Sequence, residues 1–221
     1  MITVPIDIIL KISERLTDHE KIYLTMVSTY MDNLKHKIKF TEKIGMAKIK
    51  KLKYFNNFEF VEIFDGTDEC PKFVKHVYFY AITLNIPQFV THLRFNYFFD
   101  QPIKKYDIPR TVTHLTFGFN FNQRSKKCVP PSIIHLTFGY LFDQSIEDSI
   151  PSSVTHLTLG QKFNRSIRDG IPSSVTHLTF GNKFNHSINS LSKNIIEITL
   201  SEWYNKPINK EIRRRINIKR I

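Results

Sequence analysis

A five-residue phrase, Thr-His-Leu-Thr-Phe with small changes, returns along this chain at a nearly fixed interval. Its histidines stand at 92, 114, 135, 156 and 177, in steps of 22, 21, 21 and 21 residues. The register continues to Glu197 within "IIEITL". It reaches back through "CPKFVKHVYF", where Pro71, Val74 and His76 take the places of Pro87, Val90 and His92. Five clear units and two divergent ones result. A period of this length belongs to coils in which each unit buries its apolar face against its neighbours. Terminal units diverge because one of their faces meets something other than a repeat.

Each unit reads Pro-x-x-(Val/Ile)-x-His-Leu-x-Phe-Gly-x-x-Phe-(Asn/Asp)-x-x-Ile, as in Pro109, Val112, His114, Leu115, Phe117, Gly118, Phe121 and Asn122. Alternation around "THLTF" marks a short strand, and the following Gly or Asn and the next Pro bound it. Strand parity sets Leu115 and Phe117 on one face and His114 and Thr116 on the other. Turning the strands over would expose two large apolar side chains per unit, at about 1.5–3 kcal/mol each. It would also bury the histidines without partners. The interior therefore takes the Leu93 and Phe95 rows, with a third row of Phe99, Phe121, Phe142, Phe163 and Phe184. The outward face carries His92, His114, His135, His156 and His177 beside Arg94, Thr116, Thr137, Thr158 and Thr179. The short polar residues Asp100, Asn122, Asp143, Asn164 and Asn185 are expected to bond backbone groups at a turn.

These units resemble the FNIP repeat, a leucine-rich-like unit of social amoebae and giant viruses of amoebae. "FDQPI" (99–103) and "FDQSI" (142–146) correspond to the naming segment. The resemblance runs from about Ile86 to Ile208 and implies a parallel β-solenoid, here of about six turns, with a binding role and no chemistry.

The first 40 residues lack the period. Ile6, Ile9, Leu10 and Leu16 fall on one helical stripe behind Pro5, and Ile8 and Ile12 on another. Thr17-x-x-Glu20 is a capping box that opens a second helix. Tyr23, Val27, Met31, Leu34 and Ile38 line one side of the segment beyond it, either one helix or two broken near Ser28-Thr29. A helix apolar on two sides must be covered twice. One reading is an N-terminal cap on the solenoid. The other comes from resemblance: "VPIDIILKISERLTDHEKIYLTMVSTYMDNL" is similar to an F-box, although Met31 stands where that family usually has Trp. This resemblance implies docking on a Skp-type adaptor of a cullin-based ubiquitin ligase through Pro5, Ile6, Ile9, Leu10, Leu16, Val27 and Met31. The solenoid would then recruit a target protein through its histidine–threonine face. The competing function is a repeat scaffold with no ubiquitin link.

The chain thus reads as α+β, mainly β. A helical module over 1–40 is followed by a Lys-rich linker and irregular first turn over 41–69. The repeats occupy 70–210, with clear units starting near 86, 108, 129, 150 and 171, and a basic cap or tail comes last, over 211–221. Composition enters where other functions must be weighed. A net charge of +12 invites nucleic acid, but the excess gathers at Lys35 to Lys53 and in "KEIRRRINIKRI" rather than on a face of every unit. Isoleucines interleave the latter, which favours a cap over a nucleic-acid or nuclear-entry tail. Two cysteines, Cys70 and Cys128, lack disulfide or zinc spacing. The N-terminus lacks the features of a signal peptide. We therefore expect a monomeric intracellular protein of the cytoplasm, with the nucleus as the alternative, and with no membrane anchor and no cofactor. What the family resemblance implies, for a viral member, is the cytoplasm of an amoebal host. A flat histidine row closes poorly around a metal. Ser153/His156 and Ser174/His177 share the repeat's own spacing and have no acid to complete a triad, so neither a metal site nor an enzyme is expected.

Overall fold

The computed structural model describes residues 4–64 and 69–221, in two compact units, Met1–Tyr78 and Phe79–Ile221. In the first unit three short helices precede a piece of coil. Helix α1 (Ile6–Ser13) starts behind Pro5, whose missing N–H costs nothing there. Helix α2 (Asp18–Met26) opens on the expected capping box: the Thr17 hydroxyl accepts from the Glu20 N–H, and the Glu20 carboxylate accepts from the Thr17 N–H at 2.8 Å. Helix α3 (Thr29–Asn33) has its own cap at Ser28, whose φ of -161° and ψ of 162° interrupt the helical path. The break falls where the two-helix alternative placed it, but it corrects the expectation that Tyr23 to Ile38 share one side. Leu34 and Ile38 are buried while Tyr23 and Val27 are exposed, because the phase of α2 is lost at Ser28.

The Lys-rich segment is folded coil rather than linker. Strand β1 (Ile44–Gly45), helix α4 (Met46–Ile49) and strand β2 (Phe60–Ile63) are built on Phe40, Met46, Ile49, Phe58, Val61 and Ile63, all buried. β1 and β2 pair in parallel, Ile44 opposite Val61. The lysines between these positions point outward on their aliphatic stems. Residues 65–68 of the expected irregular turn lie outside the described residues. Strand β3 (His76–Ala81) runs across the boundary between the units.

The second unit is a parallel coil with one short strand per turn: β4 (His92–Phe95), β5 (His114–Thr116), β6 (His135–Thr137), β7 (His156–Thr158), β8 (His177–Thr179) and β9 (Glu197–Leu200). From β4 to β8, each strand pairs with the next in the register of the repeat, histidine opposite histidine and leucine opposite leucine. Before each strand a turn closes from the proline carbonyl to the N–H three residues on, as from Pro109 to Val112 at 3.1 Å. The glycine after the strand meets the previous turn: a Cβ on Gly139 would lie 1.7 Å from the Gly118 carbonyl oxygen. Close approach, not backbone angle, fixes that residue. The basic C-terminal segment forms helix α5 (Lys210–Arg215) and strand β10 (Asn217–Arg220), which pairs in parallel with β9. Ile212 and Ile216 are buried.

Among the described residues the parallel coil counts about nine turns, not the six expected. The added turns keep the inner apolar rows without the repeated phrase, so they do not show as repeats in the sequence.

Candidate protein-interaction face

On the strands of the second unit, leucines and phenylalanines alternate with histidines and threonines, and the burial pattern follows that parity. Leu93, Leu115, Leu136, Leu157 and Leu178 are buried, and the histidines beside them are half-buried. In-register pairing puts the five imidazoles ring on ring, with centroids 4.1, 4.3, 4.2 and 4.3 Å apart from His92 to His177. Each ring shields its neighbours, which is why an outward row is only half exposed. Four of the rings also sit 2.9 Å, through Nδ1, from the hydroxyl of the preceding residue: Thr91, Thr113, Thr155 and Thr176. Ile134 takes that place before His135.

Burial holds the pKa of His135 and His156 below the ordinary 6.5, and repulsion from neighbouring rings adds to it. Beside the histidines run Arg94, Thr116, Thr137, Thr158 and Thr179, with Arg94 exposed and the threonines half-buried. At the far end the row passes to Glu197, which pairs with Lys219 at 2.8 Å and accepts from Asn217 at 3.1 Å. All ten residues expected on the target-binding face therefore share one surface. Its chemistry is a ladder of closely packed donors and acceptors.

Two side-chain ladders flank the strands. Asp100, Asn122, Asp143, Asn164 and Asn185 each accept, through a side-chain oxygen, from the backbone N–H one turn on, at 2.8 to 3.3 Å. The Ser153 and Ser174 hydroxyls donate to the carbonyls of Ile133 and Val154, at 2.7 and 2.8 Å. They are tied to the backbone rather than held toward a histidine. Among the described residues no group of three His, Cys, Asp or Glu is placed to hold a metal ion, and no helix is long and apolar enough to cross a membrane.

A family model for the FNIP repeat matches residues 81–120, 120–162 and 163–191, together half of the chain. The chain belongs to the FNIP repeat family. Among solved structures it is similar to the crystal structure of CroV588, described as a novel circular LRR protein, at 26% identity and a TM-score of 0.53. The similarity covers 75% of this chain and 34% of that one, so the chain spans roughly a third of that protein's length. No curated protein matches. An FNIP solenoid suggests a protein-interaction scaffold, and no catalytic family is indicated.

The helices ahead of the FNIP repeats distribute the expected adaptor-binding residues over three environments. Pro5 and Val27 are exposed; Ile6, Leu10, Leu16 and Met31 are half-buried; Ile9 is buried, 3% exposed. Ile9 is thus a core residue of its own unit and is corrected as a contact. The apolar surface turned outward comes instead from Val4, Ile8 and Ile12 around α1 and from Tyr23, Met26, Val27 and Tyr30 around α2 and α3. The exposed pair Ile8 and Ile12 is the second stripe read from the sequence. Sequence reasoning missed another feature of the FNIP coil, a row of aromatic side chains just beyond the strands. Reading the position after the glycine across units would have found it.

Proposed function

We propose that this FNIP protein recruits a target to a cullin-based ubiquitin ligase, its N-terminal helices docking as an F-box on a Skp-type adaptor. The observation that supports this is the apolar surface on those helices. Ile8 and Ile12 are half exposed, and Met26 and Val27 are 67% and 75% exposed. Single exposed apolar residues are ordinary, but two stripes on short adjoining helices mark an interaction surface. The same segment carries the F-box resemblance from Val4 to Leu34. In this reading the histidine–threonine face of the solenoid holds the target, and the protein makes no bonds itself. It raises the target's effective concentration near the transfer machinery, in the cytoplasm of an amoebal host.

The test is capture of a purified Skp-type adaptor by wild type and by Ile8→Asp/Val27→Asp. Both side chains are exposed, so the variant keeps its fold. Capture by wild type and loss by the variant is expected. A folded wild type that captures no adaptor would sink the ubiquitin link and leave a binding scaffold.

A further inference from the structure

In the turns after β4, β5 and β6, the FNIP coil carries aromatic side chains that neither the core nor the histidine face uses. Tyr97, Phe119 and Tyr140 occupy equivalent positions and stack at 4.4 Å in two successive steps. Tyr97 and Tyr140 are exposed, as are Phe98 and Leu141 in the adjoining row. The next two units place Gln161 and Asn182 at the ladder position, so no ring follows Tyr140. Gln161 is fixed by accepting from the Asn182 N–H at 2.9 Å. The adjoining row continues with Lys162 and Lys183, both exposed, and ends at Trp203, 81% exposed. Between the end of the ring stack and Trp203 lies a shallow cleft of about 390 Å³, lined by Tyr140, Gln161, Lys162, Asn182, Lys183 and Trp203. The Lys162 ammonium stands 6.0 Å from the Tyr140 centroid, at the outer reach of a cation–π contact.

We propose that this cleft binds an extended acidic segment of a partner protein that carries an aromatic side chain beside its carboxylates. The partner's ring packs against the exposed edge of Tyr140 beside Gln161, its carboxylates pair with Lys162 and Lys183, and Trp203 closes the far wall. Apolar residues further along the segment cover Phe98 and Leu141. Charge selects the occupant: among the described residues the cleft is lined by two cations and no acid. The short extent of that charge selects a peptide over a nucleic acid. Lysine occupies two successive turns only, with apolar residues on one side and Glu202 beside Trp203 on the other. A phosphate backbone needs a longer basic track. This surface and its test are independent of the adaptor reading.

Trp203 is the chain's single tryptophan, so its fluorescence reports on the cleft directly. The probe is a short synthetic peptide with a phenylalanine among glutamates and two leucines at one end. Controls are the same peptide with glutamine for glutamate, and an oligouridylate. A saturable shift of Trp203 emission to shorter wavelength is expected with the acidic peptide. Affinity should fall at least about tenfold for the glutamine peptide, for Lys162→Glu/Lys183→Glu and for Tyr140→Ala. All three side chains are exposed, and circular dichroism verifies the fold of each variant. The proposal is overturned by no saturable shift, by a shift indifferent to the lysines, or by tighter binding of the oligouridylate.

Discussion

Ser125 occupies a place that other units give to isoleucine. Ile103, Ile146, Ile167, Ile188 and Ile208 form one inner row, and each is buried. Ser125 stands in that row at 0% exposure, its hydroxyl without a hydrogen-bond partner among the described residues. A buried hydroxyl left unpaired costs about 1–3 kcal/mol, and the row also lacks the apolar contacts an isoleucine makes. Ser125→Val should therefore stabilise the second unit by about 1–3 kcal/mol. The check is a rise in the urea midpoint without a change of slope; a fall would mean that the site is already full. A second feature at this scale leaves no trace in composition. Tyr106, Lys127, Asp148 and Asp169 recur every 21 residues with φ of 79°, 57°, 54° and 59°. A left-handed turn is usually announced by glycine. Here none is present, so only backbone geometry reveals it.

At the scale of elements, α2 is locked to the first stretch of coil by a buried lysine. Lys21 pairs with Asp18 at 2.7 Å and donates to the Lys39 carbonyl at 2.9 Å, with its side chain 3% exposed. Asp18 in turn accepts from the Thr41 and Glu42 N–H groups at 3.0 and 2.8 Å. Lys21→Ala leaves that carboxylate without its cation and should cost about 3 kcal/mol, measured by thermal or urea unfolding. Glu59 is held similarly. Burial pushes its pKa up, but Lys75 and Lys39 more than offset this, so its carboxyl titrates below the ordinary range.

The histidine ladder is the element with a pH response. Folding lowers the pKa of His135 and His156, so the unfolded chain takes up protons first as pH falls. The ladder's contribution is complete above the ordinary 6.5 and is lost as pH drops through 6.5 toward the lowered folded values. The groups facing these rings are neighbouring imidazoles, with Arg94 near one end and Glu197, held by Lys219, at the other. The melting temperature should fall between pH 7 and pH 5 by more in wild type than in His135→Gln/His156→Gln. Equal slopes would place the pH dependence elsewhere.

For the whole molecule, a coil whose turns touch only their neighbours should tolerate removal of one complete turn. Deleting residues 150–170 joins Ser149 to Ile171, which repeats the Ser149–Ile150 junction of the native chain, and brings His135 into register with His177. We expect a folded, less stable protein that keeps its β-rich circular dichroism spectrum. Loss of that spectrum would show that the turns depend on more than their immediate neighbours.

The sequence by itself determined the parallel coil, its inner rows and the surface shared by the five histidines, because a 21-residue period repeats those choices in every unit. The capping box at Thr17 and Glu20 was also legible, since it depends on local bonds alone. Tertiary structure decided the rest. Segments 40–63 and 201–220 became coil turns through buried side chains that no repeated phrase announces. Ile9 turned inward and Ile8 outward because packing, not periodicity, chooses which of two apolar stripes is covered. The aromatic ladder that ends at Tyr140 arises only when residues 21 or 22 positions apart are stacked about 4.8 Å apart.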